Sequence, residues 1–250
     1  MASDFFIPRV TVIGLGLIGT SWVKGLREAQ VVGHVCGYDR NLDSMQEAVD
    51  LDLIDDYAFN LPDAVADSDL IIISVPILAV EKVLAAIRPG LKASAIITDV
   101  GSVKGCVAKT VEKVFGRPQA NVVLGHPIAG SERSGVSAAQ ADLYVNHKVI
   151  LTPLPETSES ALALVRNAWL AVGAEIEEMD VQHHDEVLAA TSHLPHLLAY
   201  SLVDTLAHSH ENKEIFNYAA GGFRDFTRIA SSSPAMWHDI FMANKEEVLA

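Results

Sequence analysis

Cysteine is nearly absent from this chain of 250 residues: Cys36 and Cys106 stand alone in unrelated segments. Two such thiols exclude a disulfide framework and fit a reducing compartment, so a cytoplasmic protein is expected. Basic residues are scarce as well. Lysine and arginine number 18 against 32 acids, a formal net charge of -14, and they form no run. Nucleic acid and anionic membrane surfaces are therefore poor partners. Long apolar runs are missing too. The stretch LIIISVPILAV is interrupted by Pro76 and suits sheet strands, not a membrane span. No basic segment followed by an apolar one opens the chain, so no export signal is expected. The ten histidines include the pairs His183/His184, His193/His196 and His208/His210. None lies in an HExxH or Cys/His ligand pattern; they read as helix-surface histidines, and no metal is expected.

What is present is apolar and ordered. Half of the residues (50%) are hydrophobic, enough for a real core in one large or two modest domains. Apolar strand signals fall at Arg9–Ile13, His34–Tyr38, Leu70–Val75, Ala95–Thr98, Val122–Leu124 and His147–Leu151. Helical patterns lie at Ile18–Ala29, Leu42–Val49, Leu78–Ile87 and Val103–Phe115. This alternation predicts an α/β domain of Rossmann type with a mainly parallel sheet. TPLPET, Thr152 to Thr157, reads as a linker. Beyond it Ser158–Ala171, His184–Ala207 and Ala235–Leu249 look helical, with one strand-like piece at Glu175–Met179. The expected domains are 1–152 and an all-α domain, 153–250. HLPHLLAYSLVDTLA is apolar on more than one face, which points to subunit association, with a monomeric bundle as the alternative. The chain ends inside a helical pattern without a stop signal, so the helical domain is expected to be truncated or to finish against a partner.

The most specific stretch is VTVIGLGLIGTSWVKGL. A strand enters a Gly-x-Gly-x-x-Gly turn at Gly14, Gly16 and Gly19 and continues as a helix, the pattern of a pyrophosphate cradle. VGHVCGYD then reads as a second strand ending at Asp39, about 20 residues past the last glycine, where a carboxylate can hold the adenine ribose hydroxyls. Asp39 favours NAD over NADP. Arg40 leaves NADP open, since an arginine there can pair with a 2′-phosphate. Leu17 and Ile18 in the turn, with Ser74, Val75 and Pro76 at the end of the third strand, complete the expected cofactor set.

Three further segments carry chemistry. In TDVGSVKG, Ser102 is placed to touch the nicotinamide or the reacting group, or to cap the helix starting near Val103. In GHPIAGSERSG, His126 can accept a proton from a hydroxyl as hydride leaves the same carbon. Glu132 and Arg133 line a cleft or form a surface pair. In the third, SHLPH and GGFRDFTRIA, Arg228 follows a glycine-rich segment and could grip a carboxylate or pair with an acid.

Taken in series, GLGLIGTS, TDVGSVKG, GHPIAGSERSG, TSHLPH and GGFRDFTRIASSSPAMWHDIF resemble the prephenate/arogenate dehydrogenase family of tyrosine biosynthesis over nearly the whole chain. The resemblance implies a nucleotide-binding domain joined to a helical domain that forms a homodimer. It implies NAD- or NADP-dependent oxidation of prephenate or arogenate with loss of carbon dioxide. It casts His126 as the base, Ser102 as the group orienting the ring hydroxyl, and Arg228 as the carboxylate anchor. His193 and Trp237 fall to the substrate pocket, Glu132 and Asp225 to a polar network at its entrance. Tyrosine, the product or a close relative of it, is an expected inhibitor. No N-terminal mutase is expected. Two rival readings are another two-domain dehydrogenase with a different catalytic set and a non-catalytic dinucleotide sensor.

Overall fold

The computed structural model describes residues 5–250 apart from 118, 132, 210 and 211; Glu132 and His210 therefore lie outside the described residues. In chain order the elements of the first part are β1 (Ile7–Ile13), α1 (Leu17–Glu28), β2 (Val32–Tyr38), α2 (Leu42–Asp50), β3 (Asp56–Tyr57), α3 (Leu61–Val65), β4 (Leu70–Ile73), α4 (Val80–Ile87), β5 (Ile96–Asp99), α5 (Lys104–Phe115), β6 (Val122–Pro127), β7 (Lys148–Thr152), α6 (Glu159–Ala171) and β8 (Glu175–Glu178). Then follow α7 (Val181–Leu188), α8 (Leu194–Ala207), α9 (Asn212–Asn217), α10 (Gly221–Thr227), α11 (Pro234–Ala243) and α12 (Lys245–Leu249).

The strands form one sheet in the order β3-β2-β1-β4-β5-β6-β7-β8. The first six are parallel to one another, β7 is antiparallel to β6, and β8 returns parallel to β7. Strand β4, LIII, is at most 1% exposed at every residue, as a strand covered on both faces requires. The chain leaves β1 toward β2 on one side and crosses back to β4 on the other. In open α/β sheets such a reversal is where ligands bind, outside the carboxyl ends of the strands, here β1 and β4. Trp22, Tyr144 and Trp169 are fully buried and pack ring against ring, with centroids 5.7 and 5.0 Å apart.

The mainly parallel sheet agrees with the sequence reading; its details differ in three places. The strand expected at Val122–Leu124 runs on to Pro127. Past Val123 it leaves β5 and pairs only with the antiparallel β7, a partner that local sequence does not reveal. The helix expected over His184–Ala207 is broken by a π-turn at Ala189–His193, with Pro195 in the first turn of α8, where its missing N–H costs nothing. Finally, the chain divides at His184/Asp185, not near Thr152. TPLPET is a connection inside the first unit, because β8 docks on β7 (Val149 opposite Ile176) and carries α6 with it.

The second unit, Asp185–Ala250, buries little of its apolar surface. Of the 14 residues of α8, LPHLLAYSLVDTLA, only Ala199 is buried. Leu198 is 51% exposed and Leu249 70%.

Candidate active site

The glycine turn is built by exclusion. Gly14 has φ +96°, and a Cβ there would sit 2.2 Å from the Ser74 carbonyl oxygen. Only glycine fits both restrictions. A Cβ on Gly19 would meet the Gly14 carbonyl at 2.7 Å, so α1 can press against β1. Gly16 is different: a Cβ there would meet nothing within 4 Å. Its neighbouring helix end has no side-chain cap and no acid in its first turn. Bare N–H groups facing open space are what a pyrophosphate needs, so the residues present fit a dinucleotide. Tyr144 donates its hydroxyl to the Ile18 carbonyl (2.5 Å) and steadies the helix start; burial pushes its ionisation well above the ordinary tyrosine value, so it stays a donor.

Asp39 ends β2 beside this turn. One carboxylate oxygen accepts from the Leu15 N–H and the other from Asn41 N–H, both at 2.9 Å. Ser74 donates its N–H to the Ile13 carbonyl (2.7 Å), and a Cβ on Gly14 would also meet the Val75 side chain at 3.1 Å. The expected cofactor residues Gly14, Gly16, Leu17, Ile18, Gly19, Asp39, Ser74 and Val75 thus gather at the carboxyl ends of β1, β2 and β4. Pro76 follows on the exposed side, and Arg40 is exposed.

A buried ion pair holds the next part of the edge. Lys104 is fully buried; its Nζ donates to Asp99 Oδ2 (2.6 Å) and to the Gly125 carbonyl (2.5 Å). Asp99 also accepts the N–H groups of Gly101 (2.8 Å) and Gly125 (3.2 Å). The pair satisfies its charges internally, as a buried pair must, and clamps the residue before His126. Ser102 lies between these two groups in sequence, half-buried after β5. It does not occupy the cap position expected for it. Val103 does, with no side-chain hydrogen bond, and α5 starts at Lys104.

His126 is 9% exposed and stands on the stretch of β6 that has only β7 beside it. Its Nδ1 lies 2.9 Å from Nε2 of His184, which is fully buried. The rings meet edge to face, 62° apart in plane. The sequence placed His184 on a helix surface; the structure makes it the partner of the expected base.

Within the second unit His193 is 1% exposed. Asn244 Nδ2 donates to the Asp185 carbonyl (2.9 Å) and contacts His193 Nδ1 at 3.0 Å. The carbonyl fixes the amide orientation, so the second amide hydrogen faces His193 Nδ1 and the histidine carries its own proton on Nε2. Trp237, 7% exposed, stacks on His196 at 3.6 Å between centroids and meets His193 edge-on at 6.2 Å. Its indole N–H is buried and has no hydrogen-bond partner among the described residues. Burial lowers the His196 proton affinity, the nearby Arg228 guanidinium lowers it further, and a hydrogen bond from Nδ1 to the Ser192 carbonyl (2.8 Å) opposes both. Arg228 therefore belongs to the surroundings of His196 and Trp237. It begins a short 3₁₀ turn directly after α10, so the glycine-rich stretch before it is helix and not loop. Asp225 is exposed on α10.

Sequence reasoning missed Lys104, Asp99, His184 and Asn244. Lys104 and Asp99 lie within TDVGSVKG, a segment already singled out, and a lysine five residues after an acid at a strand end was the available signal.

Comparison with known proteins agrees with this arrangement. Residues 23–178 match the family described as prephenate dehydrogenase, nucleotide-binding domain, and residues 180–250 the one described as prephenate dehydrogenase, dimerization domain. A cyclohexadienyl dehydrogenase of Zymomonas mobilis is 40% identical over 244 residues, 96% of this chain and 82% of that protein. A prephenate dehydrogenase of Bacillus subtilis is 38% identical over 96% of this chain and 65% of its own length. A crystal structure of prephenate dehydrogenase from A. aeolicus, in complex with hydroxyphenyl propionate and NAD+, superposes with a TM-score of 0.91 at 40% identity, covering 99% of this chain and 86% of that one. With a dinucleotide cradle, a buried histidine at the same sheet edge and these matches over both units, the chain belongs to the prephenate dehydrogenase family.

Proposed function

We propose that this chain is an NAD-dependent dehydrogenase that oxidatively decarboxylates prephenate, arogenate or both, yielding 4-hydroxyphenylpyruvate or tyrosine. The observation that carries the reading is His126, a buried imidazole held at the carboxyl edge of the sheet that also bears the dinucleotide turn. Gly14, Gly16, Gly19 and Asp39 would hold the dinucleotide, which when bound supplies the hydride acceptor. Asp39 is the reason NAD is preferred; the exposed Arg40 is the route by which NADP could be accepted.

His126 takes the proton of the ring hydroxyl as the C4–H bond breaks. Ser102 orients that hydroxyl. Arg228 grips a substrate carboxylate by paired N–H bonds, and His193 and Trp237 receive the substrate side chain. Asp225 and Glu132 serve the pocket entrance. Loss of the ring carboxylate as carbon dioxide restores aromaticity and makes the reaction irreversible. The apolar face of α8 is covered by a second copy of the chain. Tyrosine competes for the substrate pocket. The enzyme works in the cytoplasm, where cysteines outside any disulfide, such as Cys36 and Cys106, stay reduced.

The test is NADH formation with prephenate and with arogenate, in wild type and His126→Asn. The variant is expected to lose roughly 10²–10⁴-fold in kcat, the span for a missing general base, while NAD affinity stays unchanged. Turnover of neither substrate by the wild type, or an unaffected kcat in the variant, would refute the reading.

A further inference from the structure

We propose that His184 is the positioning residue of His126, fixing the tautomer in which the base is unprotonated at Nε2. The inference rests on the reading of His126 as base. His126 Nδ1 and His184 Nε2 are 2.9 Å apart, close enough for one shared proton. Two arrangements can fill that contact. If His184 donates, His126 carries its own proton on Nε2 and cannot accept another as a neutral ring. If His126 donates from Nδ1, its Nε2 is unprotonated and can accept from the substrate hydroxyl. Base chemistry therefore requires His184 to be the acceptor, protonated on its own Nδ1.

The surroundings hold this contact in place. His184 is fully buried, and a buried imidazole must be hydrogen-bonded. Its backbone N–H is anchored to the Asp180 carbonyl (3.0 Å) at the start of α7. On the other side, Lys104 holds the Gly125 carbonyl and Asp99 holds the Gly125 N–H. The backbone of the base is thus set by one network and its ring by another. When His126 becomes an imidazolium, His184 accepts a charge-assisted bond and spreads the charge without adding a buried anion.

The decisive measurement is nitrogen NMR of the full chain labelled in histidine, with His126 and His184 assigned by substitution. Nδ1–H on His126 is expected; Nε2–H on His126 in the neutral enzyme would overturn the proposal. Kinetics supply the second arm. His184→Leu is expected to lose about 10- to 100-fold in kcat, the range for removing the group that orients a metal-bound histidine, with NAD affinity and substrate KM unchanged. His184→Gln, whose side-chain oxygen can accept from Nδ1, is expected to restore most of that loss. Wild-type kcat in both variants overturns the positioning role. So does an equal loss in both accompanied by weaker NAD binding, which marks a structural role. Where His184→Leu does not fold, His184→Gln and the NMR decide. If His126→Asn lowers kcat and His184→Leu does not, only the positioning role falls. If His126→Asn is unaffected, the base itself is misassigned.

Discussion

Residues 1–184 and 185–250 are both rich in apolar side chains, yet they treat them in opposite ways. In the first unit β4 is covered on both faces, and Trp22, Tyr144 and Trp169 belong to the core that also holds Leu70 and Ile72 of that strand. In the second, the apolar helix α8 buries one residue of 14, and Leu198 and Leu249 face outward. The first unit is stabilised by its own packing. The second carries an exposed apolar face of the kind that marks an interaction surface, in a segment that matches a dimerization domain. Where each unit spends buried polar groups differs as well. The first uses a charged pair, Lys104 with Asp99; the second a neutral one, His193 with Asn244.

Five perturbations test this contrast, from the largest effect to the smallest. Lys104→Met leaves the Asp99 carboxylate buried without its cation and is expected to cost about 3–5 kcal/mol in a urea titration of the first unit. An unchanged midpoint would show that the pair is dispensable. Gly14→Ala forces a Cβ against the Ser74 carbonyl at φ +96°. About 1–3 kcal/mol of strain is expected, with loss of NAD binding by calorimetry, whereas Gly16→Ala, which meets nothing within 4 Å, should weaken NAD without lowering the melting temperature.

Leu198→Glu moves the test to the second unit. It should dissociate the dimer in sedimentation experiments at a cost of about 1.5–3 kcal/mol per buried leucine, with NAD affinity of the first unit intact; a wild type already monomeric at high concentration would break the comparison. Arg228→Ala is expected to raise KM by roughly 10-fold, about 1.4 kcal/mol and close to the lower end of the ~1.5–3 kcal/mol of a charged hydrogen bond, and to leave kcat nearly unchanged. An unaltered KM reassigns the arginine to structure.

The smallest effect is a pH dependence. His196 binds its proton less readily folded than unfolded, first because of burial and then because of Arg228. The unfolded chain therefore binds more protons as pH falls below the ordinary histidine value of about 6.5, and stability drops. It is fully present above that pH and declines toward the lower folded value. The melting temperature measured from pH 8 to pH 5 should fall less in His196→Gln than in wild type; identical slopes would remove His196 from the account.

Much of the first unit could be read from local spacing. Three glycines, a strand before them and Asp39 after them specify a turn whose geometry depends on residues a few positions apart. The strand end at Pro127 could not be read that way, because its ladder partner there is β7, more than 20 residues on in the sequence. The same holds for TPLPET, whose two prolines look like a linker until β8 docks on β7. At the site, His126, Ser102, Arg228, His193 and Trp237 drew attention through their motifs. His184 and Asn244 did not, since each acts on a residue 58 and 51 positions away, and neither carries a pattern of its own.

The sequence alone determined the parallel sheet and the nucleotide-binding turn, and it singled out the side chains proposed to react, because periodicity and glycine chemistry act over a few residues. The tertiary structure alone decided which ring faces His126, which cation sits buried beside it and which apolar helix face is left uncovered. Those depend on contacts between segments far apart in the chain, and burial is a property of the assembled surface that no short window contains.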